Sequence, residues 1–162
     1  VGSEMCIRDS AVPTVATGIG HALFSSIWPS NPWSRAYRDE ADMTAQRPAG
    51  WLSGSCLLVR WEAFDAIGGF DERYFMYLED VDLGDRFTRA GYQNIFCPEA
   101  VISHAKGHST QAHAGAMLRA HHNSAYRFQA DRHPAWWQAP LRGALWLGLR
   151  VRGLIASASA RS

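Results

Sequence analysis

Four acidic side chains, Glu79, Asp80, Asp82 and Asp85, fall within seven positions of "YFMYLEDVDLGDR" (74–86), directly behind an aromatic and apolar run. Carboxylates at that density suit calcium binding, general-base catalysis or the capping of a helix. Spacing excludes the first. An EF-hand loop takes oxygen ligands at positions 1, 3 and 5, glycine at 6 and glutamate at 12. Counted from Asp80, position 5 is Gly84, position 6 is Asp85 and position 12 is Gly91. Leu83, Phe87 and Ala90 share one side of a helix predicted from about Asp80 to Ala90 and stopped by Gly91. Acids at such a start accept bonds from free N–H groups and complement the positive end of the dipole. Asp80 also shares a side with Leu83 and Phe87. A carboxylate at an apolar edge, with others close by, gains the basicity a general base needs, although the helix N-terminus acts the other way. From the residues alone, cap and base both stay open. Asp85 reads as an exposed partner for Arg89 at i+4.

The elements that must position this cluster follow from pattern. Residues 21–50, with three of the seven prolines and with Trp28 and Trp33 beside two of them, read as an ordered loop with one short helix near 34–42. "WLSGSCLLVR" (51–60) reads as a buried strand, followed by a short helix "WEAFDAI" and a Gly68-Gly69 stop. "YQNIFCP" and "AVISH" read as strands separated by Pro98-Glu99, and "HSTQAHAGAMLRAHHNSAYRFQADR" (108–132) as a long helix capped by Ser109 or Thr110. Strands and helices alternate, so the class is α/β. The tail from Pro134 is rich in Trp and Arg and is expected to be helical after Pro140.

Composition narrows the function classes. The chain has 162 residues, 47% hydrophobic and 12% aromatic, which suits one domain with a real core. Three cysteines without C-x-x-C spacing signal neither a disulfide framework nor a zinc ribbon, and fit a reducing, cytoplasmic setting. The net charge of +1 hides an asymmetry: residues 1–99 carry eight Arg against fourteen acids, whereas residues 100–162 carry Lys106 and seven Arg against Asp131 alone. The second part therefore presents either a basic surface to an anionic partner or the solvated side of helices. Its aromatic residues form no nucleic-acid-binding motif. No apolar run approaches the ~20 residues that span a bilayer, since "GALWLGL" (143–149) is closed by Arg142 and Arg150. The start, "VGSEMCIRDS", has no basic then apolar pattern of a signal peptide. It resembles translated adapter sequence, so residues 1–10 are expected to be non-native and the gene truncated upstream.

From "GWLSGSCLLVR" (50–60) through "GGFDERYFMYLEDVDLGDR" (68–86) to "AGYQNIFCPEAVISHAKGHST" (90–110), the chain resembles the second half of the inverting family 2 glycosyltransferases with the GT-A fold. The flanks "HALFSSIWPSNPWSRAYRDE" (21–40) and "AHHNSAYRFQADRHPAWWQAPLR" (120–142) are similar to actinobacterial rhamnosyltransferases that add L-rhamnose to N-acetylglucosaminyl-diphospho-polyprenol. Similarity covers residues from about 13 to 142. It implies the C-terminal part of a GT-A fold, a mixed sheet flanked by helices, with residues 11–132 forming a truncated catalytic domain (its acceptor half) and 133–162 a basic, aromatic helical tail.

The resemblance implies roles residue by residue. Asp80, the aspartate of the Glu-Asp pair, is the implied catalytic base. Glu79 and Asp82 orient it or hold acceptor hydroxyls, or are simply a solvated helix start. Gly54 matches a glycine whose missing side chain lets sugar approach, with a packing role as the alternative; Trp51 is a further acceptor-binding candidate, and Arg60 matches the basic residue ending this strand. His104 matches a histidine completing a metal or diphosphate site, against a buried structural histidine, and a divalent metal, Mg or Mn, is the implied cofactor. Lys106 and His108 are candidates for diphosphate contacts. A zinc site of His104, His108 and His113 lacks a standard spacing.

No Asp-x-Asp metal element or Gly-rich nucleotide loop occurs here, so this chain by itself is expected to turn over little. The implied partners are a dTDP-sugar donor, a polyprenyl-diphosphate-linked sugar acceptor and a membrane surface, which places the enzyme peripherally at the cytoplasmic face of the cell membrane. Trp136, Trp137, Leu141, Leu145 and Trp146, with Arg142, Arg150 and Arg152, could form an interfacial segment or a terminal helix over the core. A related transferase using another nucleotide sugar, and a non-catalytic membrane-surface module, are the competing functions.

Overall fold

The computed structural model describes residues 9–24, 28–38, 44–102 and 114–159. Element order is β1 (Asp9–Ser10), α1 (Val15–Phe24), α2 (Pro32–Arg38), β2 (Arg47–Ala49), β3 (Trp51–Leu52), α3 (Trp61–Ala66), α4 (Glu79–Arg89), β4 (Asn94–Phe96), α5 (Ala114–Arg132), a 3-10 turn at Trp136–Gln138 and α6 (Ala139–Ser159). Helix and strand are mixed along the chain, as the alternation predicts. Two compact units form, one from the described residues of 1–71 and 80–105, the other from those of 72–79 and 106–162.

In the first unit, β1 pairs antiparallel with β3 and β2 with β4, the latter in the register Arg47 opposite Phe96 and Ala49 opposite Asn94. The core gathers Ala63, Leu83 and Phe87, with Leu57, Val59, Phe64 and Ile67 packed against them. Leu83 and Phe87 are the apolar stripe expected of α4; Ala90 is exposed, since the helix has ended before it.

Both α3 and α4 stop by the same device. Gly69 N–H bonds to Phe64 O and Gly68 N–H to Asp65 O, while Tyr92 N–H bonds to Phe87 O and Gly91 N–H to Thr88 O. In each pair the first glycine past the helix has positive φ, +77° at Gly68 and +87° at Gly91, which costs a residue without Cβ little.

Residues 51–60 depart from the expected strand. Only Trp51–Leu52 pairs, and the chain then turns at Gly54–Ser55. Ser55 N–H bonds back to Ser53 Oγ and Gly54 N–H leaves for a side chain of α4, so the donors a longer ladder would use are engaged elsewhere. Similarly, the region read as a loop holds the end of α1 and a helix that begins at Pro32. Asn31 caps α2 by accepting Ser34 N–H at 2.7 Å, with proline at the first helical position, where its missing N–H costs nothing. His21 Nδ1 meets Ser34 Oγ at 2.9 Å, which ties α1 to α2. Of "AVISH", Ala100, Val101 and Ile102 are not in a strand, and Ser103 and His104 lie outside the described residues, as do the proposed caps Ser109 and Thr110.

In the second unit α5 and α6 pack together. Phe128, 1% exposed, and Tyr74 are its buried aromatics. Arg142 of α6 donates to His133 O and Ala135 O, closing the connection between the helices. The other side of α6 leaves Trp146, Leu147, Val151, Leu154 and Ile155 exposed, and Trp136 and Trp137 before it are exposed as well. No helix among the described residues is long and apolar enough to cross a membrane.

Candidate active site

Helix α4 carries a line of residues, Asp80, Gly84 and Thr88, at intervals of four, and that line faces the segment from Gly50 to Gly54. At Gly84 the approach is closest. A Cβ there would lie 2.7 Å from Trp51 Cβ and 2.8 Å from Trp51 Cα, so only glycine lets the helix rest on the backbone of β3. Asn94 staples the same junction, its Nδ2 donating to Gly50 O, Gly84 O and Thr88 Oγ1. One turn toward the N-terminus, this docking brings Asp80 to the turn after β3.

Asp80 Oδ2 accepts the N–H of Gly54 at 2.9 Å, and Oδ1 accepts the N–H of Val81 at 2.9 Å. The two bonds fix the plane of a half-buried carboxylate whose remaining lone pairs stay available to a hydroxyl donor. A Cβ on Gly54 would meet Asp80 first, at 3.5 Å from its Cβ and 3.7 Å from Oδ2. Gly54 thus leaves the carboxylate without a side chain packed over it from this turn.

The other expected site residues divide. Glu79 is the first residue of α4 and is half-buried. Trp51 backs Gly84, and its indole Nε1 is buried with no hydrogen-bond partner among the described residues. Asp82 points to Arg86, with Oδ2 2.7 Å from Nε. Burial pushes the Asp82 carboxyl above its ordinary range, and the hydrogen bond and charge of Arg86 oppose that shift. Asp85 pairs with Arg89 at 2.9 Å as the spacing predicts, but it is buried rather than exposed, because the helix docks through this side. His104, Lys106 and His108 lie outside the described residues. Among the described residues no three His, Cys, Asp or Glu side chains gather as a metal-binding group. Arg60 immediately precedes α3, with its carbonyl accepting Ala63 and Phe64 N–H.

Three positioning features escaped the sequence reading. Arg86 NH1 donates to Ile67 O at 2.9 Å and Gly69 O at 2.7 Å, clamping α4 to the end of α3; the i, i+4 spacing of Asp82 and Arg86 was its signal. Gly84, isolated inside a helix, signalled a close packing contact. Tyr77 and Leu78, both with left-handed φ (67° and 63°), form a strained turn immediately before the Glu-Asp pair, for which the sequence carries no signal. In the second unit this turn is held by Ser124 Oγ donating to Met76 O at 2.8 Å and by His121, whose ring stands edge-on to Tyr77 at 5.4 Å.

Comparison with known proteins adds to this geometry. The family model described as "Glycosyl transferase family group 2" matches residues 34–156. Over 153 residues, 93% of this chain and 50% of the relative, the chain is 52% identical to an N-acetylglucosaminyl-diphospho-decaprenol L-rhamnosyltransferase of Mycobacterium tuberculosis. It is 36% identical to the Escherichia coli rhamnosyltransferase WbbL over 82 residues, 51% of this chain and 31% of the relative. The chain spans about half the length of the mycobacterial relatives. No solved structure matches it. Given the extent of the family match, the chain belongs to glycosyl transferase family group 2.

Proposed function

We propose that this chain supplies the acceptor half of an inverting GT-A transferase that moves L-rhamnose from dTDP-L-rhamnose to N-acetylglucosaminyl-diphospho-polyprenol. The observation that carries the reading is the doubly hydrogen-bonded carboxylate of Asp80 beside Gly54, which carries no side chain to cover it. An acceptor hydroxyl that reaches this carboxylate gives its proton to Asp80 while its oxygen attacks the anomeric carbon. The new C–O bond forms as the bond to the nucleotide diphosphate breaks, and the diphosphate leaves with the electron pair, inverting the centre. Proton removal timed with attack is worth ~10²- to 10⁴-fold in rate. Glu79 completes the acceptor side.

Binding of the donor's nucleotide we assign to sequence beyond this chain, in keeping with relatives of twice its length. His104, with Lys106 and His108, would bind the donor diphosphate and its divalent ion, which would supply electrophilic charge to the leaving group. The identity to rhamnosyltransferases named for a decaprenol-linked acceptor supports both sugar and acceptor class.

A polyprenyl acceptor brings the enzyme to the cytoplasmic face of the membrane, where the exposed indoles of Trp136, Trp137 and Trp146, with Arg150 stacked on Trp146 at 5.1 Å, suit the headgroup region. The test is a donor panel on the intact enzyme with a synthetic N-acetylglucosaminyl-diphospho-lipid. Transfer from dTDP-rhamnose is expected, and transfer from a different nucleotide sugar alone would overturn the assignment.

A further inference from the structure

An open cavity of about 340 Å³ in the second unit, well apart in sequence from the Gly54 turn, is lined by Arg73, Phe75, Arg119, Asn123, Ser124 and Arg127 among others. Its floor is one face of α5. Arg119, Asn123 and Arg127 recur every four residues, and the next step, Asp131, holds Arg73 at 2.8 Å. Arg73 is thus the cavity arginine held by a carboxylate, and Asp131, which holds it, is the only acid in residues 100–162. Arg119 and Arg127 have no acidic partner among the described residues. Unneutralised arginines on a concave surface concentrate positive potential, and their planar forks match phosphate oxygens two at a time. Beside them Phe75 is 82% exposed, an apolar ring at the edge of a cationic cavity.

We infer that this cavity binds a diphosphate carrying an isoprenoid chain: Arg119 and Arg127 grip the diphosphate, Asn123 between them donates to a bridging or terminal oxygen, and Phe75 covers the first apolar units. The inference rests on the acceptor class proposed above and adds the residues that hold it. A free inorganic anion would use the arginines but not Phe75, whereas an anionic lipid headgroup would use the arginines on a vesicle surface. Ser124, at the cavity wall, also holds Met76 O, so an occupant touches the support of the strained turn at Tyr77 and Leu78.

The test measures binding by the full chain without any transfer reaction, using calorimetry with geranyl diphosphate and inorganic diphosphate, and flotation with phosphatidylglycerol vesicles. Geranyl diphosphate is expected to bind about tenfold or more tightly than inorganic diphosphate, and Phe75→Ser to remove that difference. Arg119→Gln with Arg127→Gln is expected to lose ~10- to 100-fold for both ligands, with Arg119→Lys and Arg127→Lys losing less, since lysine keeps the charge without the fork. Equal affinity of the parent chain and the folded glutamine variant overturns the site. No preference for geranyl diphosphate overturns the isoprenoid assignment. Arginine-dependent vesicle binding without soluble diphosphate binding assigns the cavity to lipid headgroups and overturns the substrate role. Because no turnover is read, failure here is separable from failure of Asp80 as base.

Discussion

The carboxylate of Asp80 and the backbone N–H of Gly54, 26 residues apart in sequence, lie 2.9 Å from each other, and no side chain at Gly54 intervenes. This contact exists because Gly84, one turn further along α4, lets the helix rest on Trp51. Gly54 and Gly84 therefore make opposite predictions. At Gly54 an added methyl meets only ordinary contact distances and no positive φ, so Gly54→Ala should leave the melting temperature nearly unchanged. In the intact enzyme it should displace the acceptor hydroxyl from Asp80 and cost up to ~10²-fold in kcat/KM. Normal kinetics in a folded Gly54→Val enzyme would exclude this face as the acceptor's approach.

Gly84→Ala should do the reverse. Its Cβ cannot fit against Trp51 without moving the helix, so destabilisation of ~1–3 kcal/mol is expected despite alanine's better helix propensity. Urea denaturation of the chain measures it; a stabilised variant would show that α4 does not dock through this glycine.

Asp82 should leave a signature in the acid range. Burial raises its folded-state pKa above the ordinary 3.8, with Arg86 only partly opposing. A raised pKa means the folded state holds the proton more tightly, so the stabilising term is full below about 3.8 and is lost as pH rises through the folded value. The stability difference between the parent chain and Asp82→Asn should therefore shift against the parent as pH rises across that window. A difference constant from pH 3 to 7 would contradict the burial of this carboxylate.

His121 and His122 work in the opposite direction. Both have lowered pKa values, His121 through burial and then the charge of Arg152, and His122 through burial, then His121 and Arg152. Neutral imidazoles in the folded state give stability that is present above 6.5 and lost as pH falls through the lowered values. His121→Phe keeps a ring against Tyr77 and should flatten the loss of stability below pH 6.5; an unchanged profile would place the titrating group elsewhere.

Much of the first unit was legible, and the misses have physical causes. Helix α4 is an apolar stripe ended by a glycine, both local signals, and its bounds fell within one residue of expectation. The apolar run at 51–60 read as a strand because periodicity cannot register that Gly54 N–H is captured by a carboxylate 26 positions away. Asp85 read as exposed because an i, i+4 ion pair looks the same on either side of a helix. The Asn31-Pro32 start of α2 was present as a cap signal but hidden within a proline-rich stretch. For the site, the residues alone left cap and base open, and in the structure Asp80 takes a free first-turn N–H, that of Val81, with one oxygen and reaches Gly54 with the other.

Turnover by Asp80→Asn in the intact enzyme is the measurement that decides the role of this carboxylate. Asparagine keeps an oxygen for the Gly54 N–H but cannot accept the acceptor's proton. A fall of ~10²- to 10⁴-fold in kcat with unchanged donor affinity is expected, alongside a stability loss of only about 1 kcal/mol, because the amide serves one of the two N–H groups that the carboxylate accepts. Turnover near that of the parent enzyme, in a variant equally folded, would contradict Asp80 as the base.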